Sequence, residues 1–188
     1  MGNLVSVQKR AFMAAAILLA TPFVGATTAI AATDGSLGAT SQGTVDITAS
    51  VPSRVRLSKL TDVSLLNQDP GSDAVANQNV CVWSNTATSG YSITATGNGA
   101  GNAFTLASGT NTVPYSVEWA GVSGQNSGSA LATGVASTGY TSVATQQLCN
   151  AGPSASASLI VKITSADLST MSAGQSYTGT LTLLVAPE

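Results

Sequence analysis

The chain of 188 residues contains no histidine. The imidazole that most often serves as general base is therefore missing. Charge is scarce as well, with only 7% of residues ionisable as Asp, Glu, Lys or Arg. No stripe of Lys or Arg exists that could neutralise a phosphate backbone, which argues against nucleic acid as a partner. Aromatic residues make up 5% of the chain, so a core must be built from Val, Leu, Ile and Ala. The carboxylates Asp34, Asp46, Asp62, Asp69, Asp73, Glu118, Asp167 and Glu188 are scattered rather than paired. Catalysis needs titratable groups that converge, and this sequence predicts no enzyme, no catalytic residue and no cofactor.

Three local patterns suggest chemistry and fall short of it. Asp69 and Asp73 lie close together in a Gly-containing loop, yet they lack the full set of oxygen ligands of a calcium site and read as solvated acids, so no metal site is expected. Gly97-Asn98-Gly99-Ala100-Gly101 has the glycines of a phosphate-binding turn without the lysine or the following helix, and reads as a flexible hairpin loop. Trp83 and Trp119 could stack on sugars, but packing is the ordinary fate of a tryptophan in a strand.

The N-terminus carries Lys9 and Arg10, an apolar stretch from Ala11 to Val24 broken only by Thr21 and Pro22, and a small-residue run ending Ala29-Ile30-Ala31-Ala32. That is the layout of a secretory signal peptide over residues 1–31, and it is too short and interrupted for a spanning helix. Its removal takes two of the six basic residues and none of the eight acidic ones, leaving four against eight and a formal charge of −4 on 157 residues. One domain with a sizeable core fits this length, and the mature protein has no membrane span. Cys81 and Cys149 both lie in the exported part, where an oxidising compartment favours a disulfide. The alternatives are weaker, since zinc ligation by two cysteines without histidine is poor and a nucleophilic cysteine would lack its base.

The exported part reads as short alternating runs separated by Gly, Ser, Asn and Asp, the pattern of an all-β chain. From Leu37 to Val51 small or apolar residues (Leu37, Ala39, Ser41, Gly43, Val45, Ile47) alternate with polar ones, predicting one long strand with enough length for two strands' worth of pairing. Further strands are expected over Arg54–Leu60, Val63–Leu66, Val80–Trp83, Tyr91–Ala95, Phe104–Leu106, Val113–Trp119 and Ser158–Thr164. Pro114 implies an edge or a strand start. Residues 120–139 read as exposed loops with one short strand near Leu131, and Ala166–Ser172 as a short helical or irregular crossover.

In the last strand Tyr177, Gly179, Leu181, Leu183 and Val185 alternate with Thr178, Thr180, Thr182 and Leu184, before Ala186-Pro187-Glu188. An immunoglobulin-like Greek-key sandwich needs about seven strands, and a domain ending at this strand is one short. It would keep an open core groove beside an exposed edge, and the alternating N-terminal segment is the complement such a groove needs.

At both ends the sequence resembles the chaperone-usher fimbrial subunits of Gram-negative bacteria. Gly43-Thr44-Val45-Asp46-Ile47-Thr48-Ala49-Ser50-Val51 looks like the junction between a pilin's N-terminal extension and its first strand, and Ala173-Gly174-Gln175-Ser176-Tyr177-Thr178-Gly179-Thr180-Leu181-Thr182-Leu183 like the pilin ending. Val113-Pro114-Tyr115-Ser116-Val117-Glu118-Trp119 is similar to a strand of α-type and spore-coat-U-like subunits. The ending Pro187-Glu188 lacks the penultimate tyrosine of type 1 and P pilins, and Cys81 comes late, so the resemblance is to a divergent or archaic branch.

This resemblance implies a donor-strand extension over residues 32–43 and a pilin-like domain over 44–188. Leu37, Ala39, Ser41 and Gly43 would enter a neighbour's groove, with Val45 and Ile47 at the end of the donor or in the subunit's own first strand. A periplasmic chaperone would engage the terminal strand (Tyr177, Gly179, Leu181, Leu183, Val185) and Glu188, and an outer-membrane usher would replace it by the next identical subunit in a head-to-tail surface fimbria. Two readings compete with a polymerising subunit. One is a monomeric secreted adhesin or carbohydrate-binding module whose segment 37–51 pairs within its own sheet, and the other is a coat-like layer protein.

Overall fold

The computed structural model describes residues 32–188, so the expected signal peptide lies outside the described residues. The chain divides into two units, residues 1–50 and Val51–Glu188. In the described part of the first, Thr33 and Thr44 form one antiparallel bridge, with N–O distances of 3.0 and 2.9 Å. Gly43 packs against it so closely that a Cβ would stand 2.8 Å from the Thr33 carbonyl oxygen. Leu37, Val45 and Ile47 are exposed. The long strand expected over Leu37–Val51 is not formed: the chain bends at residues 37–40 and returns at the bridge. A strand is held by a ladder, and alternation alone supplies no hydrogen-bond partner.

The second unit is an all-β, immunoglobulin-like sandwich. Its strands are β1 (Val55–Ser58), β2 (Ala74–Ser84), β3 (Gly90–Gly97), β4 (Thr105–Ser108), β5 (Asn111–Pro114), β6 (Ser116–Ala120), β7 (Ser129–Ala130), β8 (Ala136–Thr141), β9 (Ala157–Ile163) and β10 (Leu181–Pro187). One sheet has the order β1-β2-β9-β6-β7, the second β10-β3-β8, and β4 and β5 form a separate hairpin. The run β1-β2-β9-β6 follows the A-B-E-D sheet of the immunoglobulin fold, and β10 beside β3 follows its F-C pair. Among the described residues no strand occupies the far side of β10, the place of the seventh strand.

Alternation explains which faces meet. In β3, Tyr91, Ile93 and Ala95 are fully buried while Ser92, Thr94 and Thr96 face outward. They meet Val80 and Val82 of β2, Val117 and Trp119 of β6, and Leu159 and Val161 of β9 in one core. Ser156 extends the pairing beyond β9, donating its hydroxyl to the Val82 carbonyl and accepting from the Val82 amide, each at 2.8 Å.

Several expected elements are redrawn. The run Val113–Trp119 is split between β5 and β6 by a change of partner: the Tyr115 amide still donates to the Phe104 carbonyl beside β4, at 2.9 Å, and from Ser116 the chain pairs with β9. Pro114 ends β5 in the two-stranded hairpin, as its missing donor requires. The segment 120–139 holds not one strand but β7 and the start of β8; the latter is poor in apolar residues and exists through its ladder with β3. Val63–Leu66 is not a strand. The expected flexible hairpin loop contains a 3-10 turn, Ala100–Asn102, and the crossover holds a short helix α1 (Ser165–Leu168), whose first turn is capped by the Thr164 hydroxyl accepting from the Asp167 amide.

Candidate functional site: an open apolar groove

β10 begins four residues later than its alternation suggests. The stretch before it is stitched to the β4–β5 hairpin: Thr178 exchanges two backbone hydrogen bonds with Ala107 (2.9 and 2.8 Å), and Thr180 donates its amide to Asn98 Oδ1 at 2.9 Å. Gly179 is required here by close approach, since a Cβ would lie 2.8 Å from the Thr105 carbonyl oxygen. Tyr177 accepts from the Ser172 amide at 3.1 Å. From Leu181 onward the strand pairs with β3 in continuous register to Pro187–Tyr91.

The inward face of β10 is Leu181, Leu183 and Val185, and all three are only half-buried. Tyr91, Ile93 and Ala95 of the neighbouring β3 are by contrast fully covered. Cover is thus lost at the sheet edge, where a cleft of about 1180 Å³ opens. Its floor is Leu159, Val161 and Ile163 of β9 with Tyr115, its far wall is Tyr177, Leu181 and Leu183, and its end is closed by Leu168 and Met171. Burial pushes the Tyr115 phenol above its ordinary pKa. Residues 60–68 and Pro70 form the near rim. Asp62 is the one charged residue in the lining, so the groove suits an apolar, uncharged occupant.

The near rim was not legible as part of a site. Val63 and Leu65 looked like strand residues, whereas the chain here makes only local backbone hydrogen bonds. It is tied down at two points. Gln78 accepts from the amide and hydroxyl of Thr61 at 2.8 and 3.1 Å and donates back to its carbonyl at 3.0 Å. At the far end Asp73 accepts from the Ser165 amide at 2.8 Å and pairs with Lys162 at 2.9 Å. The Ser165 bond first, and then Lys162, hold the Asp73 carboxyl below the usual range, while Asp73 raises Lys162. Asp69 accepts from the Gly71 amide at 2.9 Å, so both loop acids order their own loop.

Cys81 and Cys149 are bonded, with Cα atoms 6.0 Å apart, on the outer face of β2 and away from the groove. Trp83 packs beside them, and Trp119 is wholly buried in the main core. The Glu188 side chain accepts from the Gly139 amide at 2.9 Å, and its own amide donates to the Gly90 carbonyl at 3.1 Å. The structure therefore brings Tyr177, Gly179, Leu181 and Leu183 together along one wall, with Val185 following on the same face. Leu37, Ala39, Ser41, Gly43, Val45 and Ile47 belong to the other unit.

No protein-family model matches the chain. No curated protein matches it. Among solved structures it is similar to a chain in a study of a chaperone–tip adhesin complex vital for synergistic activation of CFA/I fimbriae biogenesis, with 17% identity and a TM-score of 0.44. The match covers 72% of this chain and 41% of that one.

Proposed function

We propose that this protein is a structural subunit of a surface fimbria, joined to its neighbours when residues 37–47 of one copy fill the groove of the next. The observation that carries this is the half-covered face of Leu181, Leu183 and Val185 beside an edge of β10 that is unpaired among the described residues. An added strand would satisfy that edge through main-chain hydrogen bonds and cover that face with alternate side chains. The occupant carries little charge: Asp46 is the one ionisable side chain in residues 37–47, and Asp62 is the one charged residue in the groove lining. Its apolar side chains are available, since Leu37, Val45 and Ile47 are exposed. Contact of this kind is heterologous and propagates head to tail. Before assembly the same groove needs a temporary cover, the role assigned to a periplasmic chaperone, with an outer-membrane usher exchanging it for the next subunit.

The test compares the chain from residue 32 with one lacking residues 32–43, by light scattering and electron microscopy. The intact chain should form linear multimers, and the shortened one should stay short of polymer yet bind a synthetic peptide of residues 33–47. A folded shortened chain that ignores the peptide, together with an intact chain that is monomeric throughout, would overturn strand donation. That outcome favours the monomeric adhesin or carbohydrate-binding module.

A further inference from the structure

We propose that Lys59 is a positioning residue for the groove, fastening its near rim to the loop that the disulfide holds. This rests on the groove being the functional site. Lys59 is the last residue before the rim, with a φ of 64° that turns the chain out of β1. Its Nζ donates to the Cys149 carbonyl at 3.1 Å and to the Ser154 carbonyl at 2.6 Å. Ser58 adds a hydroxyl bond to the Gln147 carbonyl at 3.3 Å. The loop that supplies these acceptors is itself held by the Cys81–Cys149 bond to β2, a strand of the same sheet.

The rim needs this fastening because it has few others. Between Asp62 and Ser72 the backbone hydrogen bonds are local, such as Ser72 to Asp69 at 3.2 Å. Leu65 packs against the core, while Leu66 is 71% exposed and Val63 41%. The position of the rim is therefore set largely from its ends. Gln78 holds Thr61 directly to β2, independently of the disulfide. Lys59, two residues earlier, is held only as firmly as the Cys149–Ser154 loop is held. Its ammonium accepts nothing, so it can serve no acceptor role in the groove, and two converging carbonyls give it a fixed seat. The disulfide thus reaches the groove chiefly through the Lys59 side chain, with Ser58 beside it, although its sulfur atoms lie on the opposite face of the sheet.

Hydrogen exchange on the chain from residue 32 tests this without reference to polymerisation. K59M keeps the stem and removes the donors, and should speed exchange of the Thr61 amide, held to Gln78, and of the Cys149 amide, held to the Gln146 carbonyl, by about tenfold while β3 stays protected. K59R should restore most of the protection. In the C81A/C149A background K59M should add nothing, whereas Q78A should still speed exchange at Thr61, whose acceptor it removes. Unchanged exchange in K59M, or K59M and C81A/C149A effects that multiply, overturns the proposal. If the cysteine variant does not fold, the decision falls on the single variant: acceleration at Thr61 alone, with Cys149 unmoved, equally overturns it. Failure of strand donation would leave these exchange results untouched, so the two readings fail separately.

Discussion

Trp119 Nε1 donates to Tyr91 Oη at 3.1 Å, and both side chains are completely buried, one on each of the two facing sheets. Their rings meet edge to face at 6.5 Å, and Tyr91 stacks on Tyr140 at 5.6 Å. With only 5% aromatics in the chain, this cluster is a concentrated part of the core. Y91F would leave the indole donor unsatisfied and should cost about 1–3 kcal/mol. W119A should cost about 3–5 kcal/mol through the cavity left behind. Urea unfolding with an unchanged m-value checks both.

The same phenol gives a prediction at alkaline pH. Burial, partly offset by the Trp119 hydrogen bond and aided by Tyr140, pushes Tyr91 up to about 12. The folded state therefore keeps its proton where the unfolded chain, titrating near 10, has lost it. Its contribution is intact below about pH 10 and is lost as pH rises toward 12, to a total on the order of 3 kcal/mol. Y91F should flatten that part of the stability–pH curve; an equally steep decline in the variant would assign the loss elsewhere.

Asp73 sets an acid-side counterpart. Its lowered pKa means that the stabilisation is present above the ordinary aspartate value of about 4 and fades as pH falls below it. Side chains 37% and 41% exposed make the Lys162–Asp73 pair weak, so D73N should leave neutral-pH stability almost unchanged and lessen the loss as pH falls below about 4. D73A additionally removes the acceptor for the Ser165 amide and should melt lower than D73N.

Gly179 should resist enlargement. A Cβ would stand 2.8 Å from the Thr105 carbonyl oxygen and 3.0 Å from Leu106 Cδ2, and backbone cannot yield cheaply. G179V should cost about 1–3 kcal/mol and speed exchange at Thr178 and Ala107, whose bridge adjoins it. A variant as stable as the parent would show that the lead-in to β10 can move.

Removing the disulfide by C81A/C149A should destabilise the fold by about 4 kcal/mol, since the bond closes a loop with a sequence separation of 68. Thermal melting of the two chains side by side gives the difference.

The strands that could be read in advance were those whose side chains alternate across a half-buried sheet. Tyr91, Ile93 and Ala95, or Leu159, Val161 and Ile163, announce their inward face because the pleat repeats every two residues. β8 could not be read this way, as Ala136-Ser137-Thr138-Gly139-Tyr140-Thr141 has little apolar periodicity and depends on β3 for its ladder. The far wall of the groove was visible in Tyr177, Leu181 and Leu183. The near rim was not, because Leu60 to Leu66 carry apolar residues without stating whether they end in a sheet or beside one.

What the sequence determined by itself is what composition and period can determine. The absence of histidine, the scarcity of charge and the two-residue alternation are local properties, and they select an all-β chain with two cysteines and an apolar final strand. Tertiary structure decided what those residues face. The groove exists because β9, β10 and the rim, distant in sequence, leave a side of β10 unpaired among the described residues and its inward leucines half-covered. The segment 37–51 shows the converse. Its alternation is as regular as that of β10, yet it forms no strand among the described residues, because the backbone groups of a strand are satisfied only by a neighbour.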